Sequence, residues 1–395
     1  MDKATNPFAP GAGTTPPELA GRQDILEHIR IALARIRNGL AEKSMILIGL
    51  RGVGKTVLLN EMEKMAQNSG YQTALIEATE NRIRKRLSDI LVPHLRRILL
   101  HLDRDSRLST KVKSALRALQ SFASQLKINL GGVEIAIAEP EPGIADSGDL
   151  ETDLADLFVA VGEAAADRKT GVAILIDELQ YLEETDLSAL IMATHKIAQK
   201  GLPVLVIGAG LPQILGKMGN AKSYAERLFT YPMVGELTTP DAENALQVPV
   251  KRQNISFTPD ALKEIIRVTK AYPYFLQEWG YHAWNAAAAS PITVTDIHHA
   301  TQQALQRLDT DFFRVRFDRL TPSEKRYVRA LAELGGDPQR SGDVAEKLGV
   351  SVNRVAPLRS ALIKKGMIYS PAHGDTAFTV PMFEDFLKRV MPEEA

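Results

Sequence analysis

Residues 45–60 read Met45-Ile-Leu-Ile-Gly-Leu-Arg-Gly-Val-Gly-Lys-Thr-Val-Leu-Leu-Asn60, and the architecture of the chain follows from this stretch. An apolar, strand-like run leads into Gly49, Gly52, Val53, Gly54, Lys55 and Thr56, and a helix-like run opens at Val57. Glycines at these spacings let backbone N–H groups wrap a polyphosphate without side chains in the way. Lys55 is then the residue that reaches the terminal phosphates, and Thr56 the hydroxyl that ligates Mg²⁺. The helix beginning there adds the partial positive charge of its N-terminus. The strand-before, helix-after context separates this from a chance glycine-rich turn.

A phosphate loop needs a carboxylate for its metal, and Gly171-Val-Ala-Ile-Leu-Ile-Asp-Glu178 supplies one. The near-continuous apolar run predicts a strand covered on both faces, as in a parallel sheet. Asp177 falls at its carboxyl end, where ligands bind in open α/β sheets. We assign Asp177 to Mg²⁺ and Glu178 to orienting an attacking water. Leu202–Gly208 predicts a further buried strand, Thr73–Ala78 a shorter one and Met233–Leu237 the last. Strands alternating with helices at Val57–Ala66, Asp149–Asp167 and Leu187–Lys200 imply a doubly wound α/β domain. Arg227, on a short helix over Ser223–Phe229, is a candidate for the γ-phosphate or a subunit interface; the plainer reading is a surface arginine.

Composition narrows the class. With 395 residues, 45% hydrophobic and 24% charged, the chain is long enough for two or three globular domains. Net charge is formally zero, which argues against general polyanion binding but leaves local basic faces open. The chain has no cysteine, so disulfides and cysteine zinc sites are excluded. No window approaches the ~18 apolar residues of a membrane span, and no signal-peptide core opens the chain. These features make a cytoplasmic location, with no membrane partner, the expectation.

The remaining segments divide as follows. Residues 1–20, rich in Pro and Gly, read as an N-terminal linker that is able to dock on the body, and the α/β domain spans 21–238. Its insert, at about 81–148, carries Arg82, Arg84, Lys85, Arg86, Arg96, Arg97, Arg104, Arg107, Lys111, Lys113 and Arg117. A small hairpin is expected at Leu126–Leu130 and Val133–Ile137. Acids dominate from Glu134 to Asp186, so the basic helices have an internal partner as well as the option of nucleic acid. Residues 239–310 are patterned as helices alone, with Ala271-Tyr-Pro-Tyr-Phe-Leu-Gln277 at a helix start fixed by Pro273. Trp279 and Trp284 read as core. Within 318–395, three helices (Pro322–Leu334, Ser341–Leu348, Ser351–Lys365) precede two short strands, Met367–Ser370 and Thr376–Val380, the pattern of a winged helix. Asn353, Arg354 and Arg359 on its third helix are the candidates for duplex DNA.

Taken together, Gly21-Arg22, the phosphate loop, Asp177-Glu178, the helical segment and the terminal module resemble the AAA+ ATPases of the origin-recognition-like and STAND groups. The resemblance covers nearly the whole chain from about Asn6. It implies a doubly wound P-loop domain, a helical lid and a winged helix, with ATP as the nucleotide. It also implies that the Leu202 strand lies between the loop strand and the Asp177 strand, that Arg22 lies by the nucleotide, and that Pro273 faces it. Three departures stand out: Ala271 replaces the lid glycine, Ile207-Gly208-Ala209-Gly210 lacks a polar sensor, and no arginine follows Pro273 in its helix.

The implied activity is a slow, Mg²⁺-dependent ATPase whose ATP and ADP states switch domain arrangement. One alternative is an ATP-regulated DNA-binding initiator or transcriptional protein. Another is a STAND-like scaffold with an internally packed winged helix and nucleotide-dependent self-association.

Overall fold

The computed structural model describes residues 1–79, 86–102, 109–128, 144–372 and 374–392. The expected hairpin, apart from Leu126–Ile128, and the basic residues at 82, 84, 85, 104 and 107 lie outside them. The chain divides into two compact units: one takes Asp24–Ile48 and Lys55–Met233, the other Met1–Gln23, Gly49–Gly54 and the chain from Val234 onward.

The first unit runs α1 (Gln23–Arg37), β1 (Ser44–Ile48), α2 (Lys55–Asn68), β2 (Gln72–Glu77), α3 (Leu87–Leu102), α4 (Thr110–Gln125), α5 (Leu150–Asp167), β3 (Val172–Asp177), α6 (Glu184–Gln199), β4 (Val204–Gly210), α7 (Ile214–Ala221), α8 (Ala225–Leu228) and β5 (Phe229–Thr230). Among the described residues its sheet has five strands in the order β2-β3-β4-β1-β5, all parallel. The Leu202 strand therefore does separate the loop strand from the Asp177 strand. Every residue of β1, β3 and β4 is buried, which is why their sequences read as unbroken apolar runs rather than alternating ones. The core beneath them is built from β1–β4 and α3–α6.

One expectation about the sheet changes. The last strand is Phe229–Thr230, not Met233–Leu237; Met233 makes only an isolated bridge to Ile48. Pro232 explains this: its carbonyl accepts the Ile48 N–H at 2.9 Å, but it has no N–H to return and so cannot extend a ladder. The acidic stretch meets basic partners within this unit, with Lys111 on Glu163 at 2.6 Å, Lys196 on Asp156 at 2.6 Å and Lys222 on Glu151 at 2.7 Å. Part of the basic insert is thus internally neutralised.

The second unit contains α9 (Thr239–Lys251), α10 (Pro259–Thr269), α11 (Pro273–Ala286) and α12 (Val294–Arg307). A π-helical turn, Leu308–Phe313, leads into α13 (Arg314–Asp318) and α14 (Pro322–Leu334). Then come β6 (Gln339–Arg340), α15 (Ser341–Lys347), α16 (Val352–Lys364), β7 (Ile368–Tyr369), β8 (Asp375–Phe378) and α17 (Phe383–Val390). Thr258-Pro259 and Thr321-Pro322 start their helices alike: the hydroxyl caps an N–H that the first turn leaves unpaired, and the proline sits where no N–H is needed. The terminal module is more than three helices and a two-stranded hairpin, because β6 pairs with β8 to give the antiparallel order β6-β8-β7. Residues 1–20 do dock: Phe8 is buried against Gly280, Asn6 Nδ2 donates to the Tyr281 carbonyl at 3.0 Å, and Trp284 Nε1 donates to the Asp2 carbonyl at 2.8 Å.

Candidate functional site

Chain order delivers the first half of the site. β1 ends at Ile48, the glycine loop follows, and α2 begins with Lys55 and Thr56. Gly52 and Gly54 take φ of +84° and +95°, where an L side chain is strained. A Cβ on Gly52 would also come within 3.2 Å of Tyr272 and Tyr274, so this position is closed to larger residues twice over. Val53 is buried, and Val57 packs into the core from the first turn of α2.

Within the α/β unit, Lys55, Thr56, Asp177 and Glu178 are brought together. Asp177 ends β3, is buried, and accepts a hydrogen bond from Thr56 Oγ1 on Oδ2 at 2.6 Å. Its other oxygen accepts the Glu178 N–H at 2.8 Å. Burial pushes the Asp177 carboxyl above the usual carboxylate range; Thr56 and Lys55 pull it back, while Glu178 adds to the rise. A hydroxyl and a carboxylate at one buried point are hard oxygen donors, and they fit Mg²⁺, which binds few protein ligands and keeps several waters. When bound, Mg²⁺ neutralises charge on phosphate oxygens. The strand register adds a carboxylate that the sequence alone did not suggest: Glu77 pairs with Asp177 across β2 and β3, and burial followed by the charges of Asp177 and Glu178 pushes it up.

Glu178 itself is in the left-handed conformation, φ +55° and ψ +39°. A non-glycine residue there is held at a cost of order 1–3 kcal/mol, and such residues cluster at functional sites. The surrounding turn holds it, since the Tyr181 N–H donates to the Glu178 carbonyl at 3.0 Å and Gln180 Nε2 donates to Glu178 Oε2. Gln180 was not foreseen; its position two residues after a catalytic-type carboxylate is the only sequence signal it carries.

The other candidates separate. Arg22 is buried and donates to the carbonyls of Val53, at 3.4 Å, and Gly235. Desolvation lowers its guanidinium, against the charges of Asp241 and Glu236. It braces the loop backbone. Pro273 opens α11, and its two neighbours grip the loop: the Tyr272 hydroxyl donates to the Arg51 carbonyl and the Tyr274 N–H to the Gly52 carbonyl at 3.2 Å. Ala271 is itself in the left-handed region, φ +55°, which glycine adopts without strain.

Arg227 requires a correction. It lies on α8 immediately before β5, whose first residue pairs with Ser44 at the start of β1. That is the amino end of the sheet, opposite Asp177, so Arg227 cannot reach a phosphate held by its own chain. In the terminal module Asn353 and Arg354 are exposed on α16. Arg359 turns inward: it donates to Thr376 Oγ1 at 2.8 Å, Ser370 Oγ at 2.7 Å and the Asp375 carbonyl at 2.7 Å, tying α16 to β8.

A glycine loop between a buried strand and a helix, with a carboxylate at the carboxyl end of a strand one place removed in the sheet, defines a P-loop nucleotide-binding protein. Residues 18–207 match the AAA ATPase domain family. Residues 310–387 match a domain family of unknown function, DUF8462. A Walker-type ATPase of Pyrococcus abyssi is similar in fold, with 17% identity, a TM-score of 0.57, and coverage of 94% of this chain and 96% of that one. Cdc6p of Pyrobaculum aerophilum aligns over 99% of this chain and 98% of its own at 14% identity and a TM-score of 0.48. Among curated proteins, an uncharacterized HTH-type transcriptional regulator of Methanocaldococcus jannaschii is 23% identical over 384 residues, covering 94% of this chain and 89% of its own. Among the described residues no helix is long and apolar enough to cross a membrane.

Proposed function

We propose that this chain binds ATP with Mg²⁺, hydrolyses it slowly, and uses the nucleotide state to set how α11 and the terminal module hold the phosphate loop. The carrying observation is that the loop is hydrogen-bonded from both. Tyr272 and Tyr274 take the carbonyls of Arg51 and Gly52, while the Arg51 N–H donates to the Thr379 carbonyl at 3.2 Å. Thr379 is buried and anchored in turn, its hydroxyl on the Gly366 carbonyl at 2.7 Å. A loop that wraps phosphates on one side and is tied to two other elements on the other is a sufficient bistable element.

The chemistry assigned to each residue is limited. Lys55 holds terminal phosphate charge, Thr56 and Asp177 hold the metal, and Glu178 accepts a hydrogen bond from the attacking water and orients it. Arg22 positions the loop. Slow turnover is supported by the apolar end of β4, which offers no side chain to sense the γ-phosphate. ATP turnover and limited proteolysis test the proposal together. The expected result is measurable MgATP hydrolysis, with different protease fragments under ADP, a non-hydrolysable ATP analogue and no nucleotide. Identical fragments in all three states would refute the switch, and absence of hydrolysis would refute the ATPase.

A second reading has its own support. The relative in M. jannaschii is named an HTH-type transcriptional regulator, and the order of helices and strands from α14 to β8 is that of a winged helix with Asn353 and Arg354 outward. In this reading the module binds duplex DNA under nucleotide control. Salt-sensitive duplex affinity that drops on Arg354→Ala supports it; no mobility shift at low salt sinks it.

A further inference from the structure

The turn after β3 carries a second functional side chain. Gln180 is buried, and both ends of its amide are used: Nε2 donates to Glu178 Oε2, while Oε1 accepts the Leu211 N–H at 3.0 Å. Only this orientation satisfies both neighbours, because a carboxylate cannot donate and a backbone N–H cannot accept. The Gln180 backbone is fixed too, its carbonyl accepting Lys217 Nζ from α7 at 2.7 Å. The far partner, Leu211, follows the last residue of β4, where Gly208-Ala209-Gly210 presents no polar side chain. A Cβ on Gly210 would lie 3.2 Å from Gln180 Oε1, so the glycine leaves the space that the amide fills.

We propose that Gln180 is a positioning residue for hydrolysis: it clamps the Glu178 carboxylate to the exit of β4, fixing one oxygen so that the other faces the attacking water. The inference rests on the hydrolytic reading above and adds a residue to it. The geometry separates positioning from simple packing. Glu178 is itself left-handed, at the start of a short 3₁₀ turn, and the Gln180 amide holds one of its two carboxylate oxygens. Holding Oε2 in this bond sets the direction in which Oε1 is presented to the water. Glu77 and Asp177, from β2 and β3, repel Glu178, while Lys55 of α2 draws on the neighbouring Asp177; the amide sets the direction of Glu178 among these opposing charges. The β3 turn thereby also supplies the polar contact that β4 itself lacks.

Gln180→Glu is the most selective test. It keeps the shape and the acceptor for Leu211, while it replaces the donor to Glu178 with a second carboxylate. Gln180→Ala removes the donor without adding charge and guards against misfolding of the first variant. Steady-state MgATP hydrolysis, nucleotide binding and melting temperature are measured on the full chain. In at least one folded variant, kcat is expected to fall about 10- to 100-fold, the cost typical of removing a residue that orients a reacting group, with KM for ATP within about twofold of wild type. Unchanged kcat in every folded variant overturns the proposal and leaves the ATPase reading standing. Parallel changes in KM and melting temperature, or loss of fold in both variants, also overturn it, in favour of a purely structural role. A wild-type chain that binds MgATP without turnover overturns the ATPase reading and this proposal together.

Discussion

The carboxyl end of the sheet and the outer face of α16 both carry polar side chains that sequence reasoning assigns to a ligand, yet they use them differently. At the sheet end, Thr56 from α2 and Asp177-Glu178 from the end of β3 converge, with Thr56 Oγ1 and Asp177 Oδ2 2.6 Å apart. On α16, Arg354 faces outward while Arg359, five residues on, turns back onto β8 and uses its donors inside the module. The first set is positioned by backbone: a strand end, a glycine loop and a helix start allow little choice of direction. The second depends on which neighbour a long flexible side chain finds.

Three substitutions press on this contrast. Lys55→Ala has the largest expected effect: turnover falls by at least about 100-fold through loss of phosphate charge stabilisation, with the fold retained by circular dichroism. Normal ATP affinity and rate in that variant would remove the sheet end from the site altogether. Next, Arg359→Ala is expected to destabilise the protein by about 1–2 kcal/mol in denaturant unfolding, because it breaks three charge-assisted hydrogen bonds at a half-buried site. Arg354→Ala should stay within about 0.5 kcal/mol, as for other exposed substitutions. Equal effects would erase the distinction between inward and outward arginines.

A pH dependence is expected at Asp177. Burial raises its carboxyl, so without metal the folded chain binds that proton more tightly than the unfolded chain does. Its contribution to stability is therefore fully present below the ordinary carboxylate value and is lost as pH rises through the raised one. Asp177→Asn should flatten that decline, seen in melting curves taken without metal as pH rises from below the ordinary carboxylate value. The same variant should lose the stabilisation that MgATP gives the wild type. A pH slope equal to wild type would mean that Asp177 does not carry the burial cost.

The parts legible in the sequence were those where one residue type answers a local physical demand. Gly52 and Gly54 announced positive φ, and the apolar runs ending at Ile48, Asp177 and Gly208 announced strands covered on both faces. Pro273 marked a helix start in the same way. What stayed hidden were side chains whose partners are remote or ambiguous. Gln180 reaches Leu211 through space, and Glu77 meets Asp177 only once β2 and β3 align. Arg359 had an equally good outward alternative. The N-terminal segment has no periodicity at all, and its docking rests on single contacts such as Phe8 against Gly280. Pro232 was visible, but its consequence for the last strand depended on the partner strand it faces.

The two tryptophans of the chain, Trp279 and Trp284, both lie buried on α11, the helix whose first turn holds the loop carbonyls. Trp279 packs edge-on to Phe275, which in turn touches Tyr272 and Tyr274. Excited at the long-wavelength edge of the protein band, the whole molecule therefore emits from one element. That makes the native chain its own optical sensor: a nucleotide titration read by intrinsic fluorescence follows α11 alone, with no label attached.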